Sequence, residues 1–366
     1  MATEHTRYTY SPDYVVHPGE VLEETLEAYG MSQTELARRT GISTKTLSQV
    51  VNGKAPVTPD TAIQLERVLG VSAATWTNLN ANYSLAMARQ TMRQNLEDYG
   101  EWIEGFPYSD LVGLGFAEPA SSIAERAAHL LDFFGVADKE GWSRQYGSLQ
   151  PQTAFRRSHA FSTSLYAVAT WLRIAELRAQ EADSEPFDAG RFAHALLSIR
   201  GMTREPADVF APAMQVKCAE SGVALVFVGE LKGTHVSGAA RWLSPSKALV
   251  ALSLRHKTDD HFWFSFFHEA GHILRDSKKK VFVDGLEAYM CDEEKADRFA
   301  CNIMIPEEHY VRFTDEGALT ERAVLAFADE EGIAPGIVVG RLQHDKHLPF
   351  NSRLNHLKRK FELSRN

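Results

Sequence analysis

The first 90 residues contain a close series of helix start and stop signals, and this feature most constrains the fold. Ser32 is a predicted N-cap for SQTELARRT, with Glu35 three residues later as in a capping box, and Gly41 ends that helix. Ser43 caps the following helix, TKTLSQVVN, and Pro59 stands at the favoured first position of a further one. Helices this short are stable only when they pack against one another. The sequence therefore predicts an all-α domain.

The segment SQTELARRTGISTKTLSQVVNG, residues 32–53, has the pattern of a helix-turn-helix that reads DNA. Ala37 is small enough for two helices to cross closely, and Gly41 permits a sharp turn at positive φ. The predicted shared core consists of Leu36, Ile42, Leu47 and Val50. The second helix and its surroundings supply the predicted DNA contacts, namely Arg38, Arg39, Thr44, Lys45, Thr46, Ser48, Gln49, Asn52 and Lys54. Such side chains can reach base edges and phosphates.

The charge balance limits how DNA could be bound. The chain has 39 Lys and Arg against 48 Asp and Glu, a net charge of −9, which excludes a protein that coats nucleic acid through bulk positive charge. Residues 1–90 carry seven cations and nine acids, and four of the cations lie between Arg38 and Lys54. We expect modest affinity per protomer, supplemented by dimerisation. The alternative is a helical bundle that does not bind DNA.

The N-terminal region resembles XRE-type helix-turn-helix proteins, and more narrowly the HigA antitoxin branch. The resemblance covers about residues 17–90 and is carried by HPGEVLEE, by the turn described above, by NGKAPVTPDTAIQLERVLG and by WTNLNANYSLAMAR. It implies a homodimer that reads a palindromic operator, often in the promoter of its own operon.

The rest of the chain changes character near residue 222. Residues 95–215 have mostly helical spacing, with a polar boundary at EADSEPFDAG. Three strands are then predicted, VALVFV, HVSGAARWL and KALVALSL, followed by the helices DDHFWFSFFHEAGHILRD and EEKADRFACNIMIP. This order predicts a DNA-binding domain over 1–94, a helical connector over 95–185, and an α+β domain with a small sheet and a helical tail over 186–366.

Cysteine content and apolar run lengths bear on location. Three cysteines are too few for a disulfide framework and are typical of a reducing cytosol. The first residues lack a signal-peptide pattern, and stretches such as GVALVFV fall short of the ~20 residues that span a bilayer. We expect a cytoplasmic protein without a membrane partner.

A second motif, HEAGH, places His268 and His272 four residues apart on one predicted helix. Side chains at this spacing share one helix face, so both imidazoles can point at one metal ion. Glu269 stands beside them, where it could take a proton from a metal-bound water; this is the pattern of zinc metallopeptidases. The other positions of the helix are strongly apolar, so the polar trio should be buried and needs partners. The sequence therefore predicts a Zn²⁺ site.

A third protein ligand is expected on EEKADRFACNIMIP. Glu293 and Asp297 lie four residues apart, so Glu293 could bind the metal while Asp297 hydrogen-bonds the outer nitrogen of a ligand histidine. Glu294 is a rival ligand, and Asp276 and Asp292 are weaker candidates. The alternative is that HEAGH belongs to an ordinary buried helix without a metal.

Residues 190–345 resemble the ImmA/IrrE family of zinc metallopeptidase-like domains. The resemblance rests on HEAGHIL and on ADRFACNIMIP, which is similar to the family's EAxxFAxxLLxP segment. Members often carry Glu before the first Ala, where this chain has Lys295, but the carboxylate of Glu293 remains. The resemblance implies a zincin-like fold, a bound zinc and, in active members, cleavage of a helix-turn-helix repressor.

Three functional hypotheses follow. The first is a DNA-binding regulator whose zinc endopeptidase domain cleaves a partner repressor, a toxin or another copy of the chain. The second is a non-catalytic HigA-type antitoxin or repressor whose C-terminal domain binds a toxin or ligand, with zinc only structural. The third is a metal-free scaffold. Structural zinc sites usually have four protein ligands, and only three residues here have a spacing argument, which favours an open site.

Overall fold

The computed structural model describes residues 15–149, 164–253, 258–275, 281–283, 290–315, 317 and 319–361. Its contacts divide the chain into two compact units, residues 1–100 with 122–124, and residues 101–121 with 125–366. Within the described ranges, no helix is both long enough and apolar enough to cross a membrane.

The first unit is a bundle of short helices. Its bounds are α1 Pro18–Ala28, α2 Gln33–Thr40, α3 Thr44–Val51, α4 Pro59–Leu69 and α5 Ala73–Leu96. The helix starts follow the predicted caps, because the hydroxyl of Ser32 accepts from the backbone N–H of Glu35 and that of Ser43 from the N–H of Thr46. Gly41 ends α2 with a φ of 79°, the left-handed conformation that a side chain disfavours.

The core of this unit lies between the five helices. Leu36, Leu47 and Trp76 are fully buried, and Ile42 and Val50 join the same apolar cluster. The predicted core of the helix-turn-helix is therefore confirmed. Helices α1 and α3 approach so closely that a Cβ on Gly19 would lie 2.4 Å from the backbone oxygen of Val50, so this crossing requires a glycine.

The second unit places helices around one small sheet. Its first helices are α6 Gly100–Glu104, α7 Tyr108–Gly113, α8 Ile123–Phe134, α9 Lys139–Tyr146, α10 Leu165–Glu181, α11 Ala189–Arg200 and α12 Ala207–Ala219. The strands are β1 Val223–Phe227, β2 Gly238–Ser244, β3 Lys247–Leu252 and β4 Val281–Val283. The remaining helices are α13 Asp259–Arg275, α14 Met290–Met304, α15 Glu307–Asp315, α16 Glu321–Glu331 and α17 Pro335–His344.

The four strands form a mixed sheet in the order β1-β3-β2-β4. Strand β1 is parallel to β3, while β2 is antiparallel to both β3 and β4. The three predicted strands are confirmed within a few residues. Strand β4 was not predicted, because a three-residue segment is too short to show an alternating pattern.

Helix α10 belongs to the segment predicted as a connector over 95–185, and it packs against the sheet of the second unit. The indole N–H of Trp171 donates to the carbonyl of Val228 over 3.2 Å, and Arg178 donates to the carbonyl of Phe227 over 3.0 Å. Glu176 pairs with Arg241 of β2. Most of the 95–185 segment is thus part of the second unit, while the predicted three-way division stays a prediction.

Helix α13 carries the HEAGH motif, contacts β2 and β3, and also packs against α14 and α17. The helix approaches α14 closely at Gly271, where a Cβ would lie 2.9 Å from the ring of Phe299 and 3.4 Å from the Cα of Ala296. The small residues of HEAGH thus permit the approach of α14, which brings the acidic end of that helix to the histidines.

Candidate functional site

The first candidate site is the exposed face of α3. Side chains at positions 44, 45, 48, 49 and 52 are all exposed, and the helical repeat places them on one side of α3, opposite the buried Leu47 and Val50. Lys54 is exposed just beyond the end of the helix. The face offers hydroxyl, amide and ammonium groups, which is the chemistry needed at base edges and phosphates.

Several predicted DNA contacts already have partners within the unit. Arg38 and Arg39 are 77% and 55% exposed, and both pair with Glu35 on the same helix. Hydrogen bonds from Arg39 and then Arg38 lower the pKa of the Glu35 carboxyl. Thr46 is half-buried and its hydroxyl lies 2.8 Å from that of Ser43.

The amide group of Asn52 donates to the carbonyl of Ser48 over 2.7 Å. It also donates to the hydroxyl of Ser48 over 3.3 Å. The exposed side chains of Thr44, Lys45 and Gln49 are the remaining candidates for base contacts on α3.

The second candidate site lies where α13 meets α14. Ligand atoms of His268, His272 and Glu293 all lie within 4.8 Å of one another. The Nε2 atoms of the two histidines are 3.1 Å apart, and they lie 3.0 and 3.6 Å from the carboxylate oxygens of Glu293. Two imidazoles and one carboxylate form a donor set that zinc takes in catalytic sites with an open fourth position. These residues therefore fit a zinc ion.

The carboxylates at this site favour a cation, against the effect of burial. His268 and His272 are 5% and 2% exposed. Burial lowers the pKa of His268, but hydrogen bonds to Asp297 and Glu293 outweigh it and raise that pKa to about 11. Burial raises the pKa of Glu293, but hydrogen bonds from the two histidines outweigh it and lower that pKa to about 2. The carboxylates of Glu293 and Asp297 thus favour positive charge beside His268, where a metal cation would supply it.

Asp297 supports the cluster from outside. The Nδ1 atom of His268 lies 2.8 Å from the Oδ1 atom of Asp297, and an ionised carboxylate can only accept. The proton on Nδ1 leaves Nε2 facing the other ligands, which is the tautomer that a metal needs.

Glu269 is 1% exposed and faces the start of β2, where a Cβ on Gly238 would lie 2.8 Å from its Cγ and Oε1 atoms. The carboxyl group therefore sits between the HEAGH helix and the backbone of β2, in a space that a larger residue at position 238 would fill.

Comparison with known proteins bears on the first unit. The profile of the helix-turn-helix family matches residues 22–76. An uncharacterized HTH-type transcriptional regulator of Escherichia coli, YddM, is 40% identical over 75 residues, which make up 20% of this chain and 80% of YddM. The chain belongs to the helix-turn-helix family. The predicted helix-turn-helix is confirmed, and the N-terminal region of the chain is a DNA-binding domain of the kind found in transcriptional regulators.

Two solved structures are similar to part of this helix-turn-helix protein. The antitoxin HigA of Pseudomonas aeruginosa, solved with the higBA promoter, is 35% identical, covers 25% of this chain and 92% of its own, and has a TM-score of 0.21. An addiction module antidote protein of a HigA family from Coxiella burnetii is 34% identical, covers 24% of this chain and 90% of its own, and has a TM-score of 0.20. These similarities extend over a quarter of the chain or less.

The alternatives to Glu293 as the third metal ligand in this helix-turn-helix protein are Glu294, Asp276 and Asp292. Glu294 is exposed, whereas the carboxylate of the neighbouring Glu293 points to the histidines. Asp276 and the side chain of Asp292 lie outside the described residues. The assignment of Glu293 as a ligand stays a prediction, and so does that of Glu269 as the catalytic base.

The spacing rules that predict the metal ligands do not identify Gly238. It lies 31 positions before Glu269, so no helical spacing connects the two. A glycine inside a strand pattern is a known sign of a close backbone or ligand approach, and HVSGAARWL contains one at this point.

Proposed function

We propose that this protein is a DNA-binding regulator of transcription whose second unit is a zinc-dependent endopeptidase. One observation carries the enzymatic part: the ligand atoms of His268, His272 and Glu293 converge within 4.8 Å. Glu269 directly follows His268 in the chain and is buried. The resemblance of residues 190–345 to the ImmA/IrrE family supports it.

The DNA-binding part rests on α3 and on the family match. Helix-turn-helix proteins place the second helix in the major groove, and dimers contact two half-sites one helical turn apart. We infer that this chain binds double-stranded operator DNA as a homodimer, with Thr44, Lys45 and Gln49 at the base edges. The low positive charge of the domain makes the second protomer important, because few phosphates are neutralised by one copy.

In the enzymatic part, His268, His272 and Glu293 would hold the zinc, and Asp297 would fix the orientation of His268. Zinc held there supplies Lewis-acid chemistry that polarises a peptide carbonyl and makes water acidic. Glu269 would take the proton from the attacking water and then deliver it to the leaving amine. Burial of Glu269 beside β2 excludes bulk water from this proton transfer.

The substrate would be a protein, for which a partner repressor, a toxin and a second copy of this chain are the candidates. The test uses the full chain loaded with one equivalent of zinc and incubated with a proteome-derived peptide library and with itself, followed by mass spectrometry of new N-termini. We expect cleavage by the natural sequence and its loss in Glu269→Gln, with zinc content unchanged.

The controls separate the competing functions. Glu294→Gln removes the same charge from an exposed neighbour of Glu293 and should cleave normally. Cleavage that survives in Glu269→Gln would refute the role of this glutamate. No cleavage at full zinc occupancy would instead favour a non-catalytic antitoxin or repressor with a structural zinc.

The DNA-binding part is tested separately by selecting operator sequences from a random duplex pool. We expect a palindromic site whose binding is weakened in Gln49→Ala. Selection of no sequence, or of a site bound equally by Gln49→Ala, would contradict the proposed reading face.

A further inference from the structure

A cavity of about 180 Å³ lies beside the histidine cluster, where α13, α14 and α17 meet. Its wall is mainly apolar and includes Phe264, Cys301, Met304, Ile305 and Ile337. All of these except Phe264 are at least nine-tenths buried. The exposed His261 and His344 stand at its rim.

The cavity lies about one helical turn from the histidine cluster. Along α13, Phe264 is one turn before His268, and the two ring centres are 5.9 Å apart. Along α14, Cys301 is one turn after Asp297, which hydrogen-bonds His268. One helical turn is ~5.4 Å, so the cavity begins about that distance from the histidine cluster.

This distance matches the spacing of side chains along an extended peptide. An extended chain advances ~3.3 Å per residue and alternates its side chains between two faces. A peptide whose scissile bond lies at His268 and His272 would therefore bring a side chain to the cavity from a residue within two positions of that bond.

The size and chemistry of the cavity define what would fill it. An apolar cavity of about 150 Å³ is large enough to hold benzene. A cavity of 180 Å³ therefore has room for one large apolar side chain, such as leucine, methionine or phenylalanine. Burying such a side chain removes apolar surface from water and is favourable, which makes the cavity a source of substrate selectivity.

The polar groups in the wall are Asp260, His261, His344 and Arg341. Asp260 pairs with Lys358 over 2.5 Å, and the group that offers a buried N–H donor is Arg341. Its Nε atom pairs with Asp345 over 2.5 Å, and its guanidinium carbon lies 4.7 Å from the ring centre of Tyr310. The buried Nη1 atom has no hydrogen-bond acceptor among the residues that the structure describes. A buried donor without an acceptor is costly, and a backbone carbonyl of a bound peptide would supply one.

We infer that this cavity is a specificity pocket that takes a large apolar side chain of the peptide substrate, close to the bond that is cut. The inference rests on the proposed endopeptidase function, which it deepens by naming the substrate class. Arg341 Nη1 donates to a carbonyl of the same peptide, and Phe264 separates the bound side chain from the metal ligands.

The test measures binding without any cleavage readout. The probe is N-acetyl-leucinamide, titrated into full-length Glu269→Gln that carries ¹³C-labelled methionine and isoleucine methyl groups, with and without zinc. We expect saturable shifts at the methyl groups of Met304, Ile305 and Ile337. N-acetyl-glycinamide, which lacks the side chain, should bind at least ten-fold more weakly.

A matched pair of variants tests the location. Cys301→Leu adds side-chain volume inside the cavity and should weaken N-acetyl-leucinamide binding at least ten-fold. Asn302→Leu places the same side chain at the next position of α14, which lines a different groove, and should leave binding unchanged. If Cys301→Leu does not fold, the smaller Cys301→Val replaces it.

The outcomes also separate the pocket from the proposed activity. Binding that is insensitive to Cys301→Leu, that maps to other methyl groups, or that is equal for both probes would overturn the pocket. Saturable binding at the three methyl groups without peptide cleavage would keep the pocket and refute the endopeptidase. Cleavage at sites with no large apolar residue within two positions would keep the endopeptidase and refute the pocket.

Discussion

The contact between Asp297 and His268 leads to a quantitative prediction for Asp297→Asn. Carboxylates that hydrogen-bond a metal-ligating histidine change metal affinity by ~10–100-fold when they are mutated. The Asp297 side chain is 44% exposed, so solvent screens part of its effect. We therefore expect the lower end of the range, a zinc Kd that rises about ten-fold, which corresponds to ~1.4 kcal/mol.

The assay is competition between the protein and a chromophoric chelator, with all variants compared at the same pH because metal affinity depends on pH. Glu294→Gln removes one charge from the same helix without contact to the histidines, and its Kd should stay within about two-fold of the natural sequence. Glu293→Gln removes a proposed ligand and should weaken zinc more than Asp297→Asn does. Equal effects of Asp297→Asn and Glu294→Gln would refute the orienting role of Asp297.

Three further predictions concern stability and DNA binding. Ser43→Ala removes the cap whose hydroxyl accepts from Thr46, and should lower the free energy of unfolding of the N-terminal unit by ~1 kcal/mol in urea titrations; an unchanged midpoint would contradict the cap. Leu47→Ala should lower the free energy of unfolding by ~2–5 kcal/mol because Leu47 is fully buried. Gln49→Ala should change that free energy by less than ~0.5 kcal/mol and weaken operator binding by ~1–3 kcal/mol in gel-shift assays. A larger loss of stability in Gln49→Ala than in Leu47→Ala would contradict the assignment of Leu47 to the core and Gln49 to the DNA-binding face. Burial raises the pKa of Asp259 to about 6, so the folded state retains this proton up to a higher pH than the unfolded chain, whose Asp pKa is ~3.9. The stability gained from that proton is complete below the pKa of Asp259 in the unfolded chain and is lost as pH rises through about 6. The free energy of unfolding of Asp259→Asn should therefore rise relative to that of the natural sequence from pH 4 to 7. A difference between the two proteins that does not change with pH would contradict this.

Local signals predicted the first unit well. The Ser32 and Ser43 caps, the Gly41 turn and the apolar spacing of Leu36 and Leu47 all act within one or two helical turns, so they can be recognised in the sequence alone. In the second unit the sequence predicts the three longer strands and the helices α13 and α14 in the same way, but only a mostly helical spacing over residues 95–215. Strand β4 contains too few residues to show a pattern.

The candidate zinc site was predictable only in part. HEAGH fixes two histidines on one face of a helix, and the spacing of Glu293 and Asp297 places both carboxylates on one face of another. Which carboxylate faces the histidines depends on how α14 crosses α13, and Gly271 sets that crossing by allowing the ring of Phe299 to approach.

The sequence by itself determined the local elements, the helix-turn-helix face and the identity of the candidate ligands, because each of these depends on neighbours within a few residues. The tertiary structure decided the rest. It brought Gly238 of β2 against Glu269. It turned the carboxylate of Glu293 toward His268 and left Glu294 exposed. It also enclosed the apolar cavity between α13, α14 and α17. These contacts join residues far apart in the chain, and their formation depends on packing, which no local periodicity encodes.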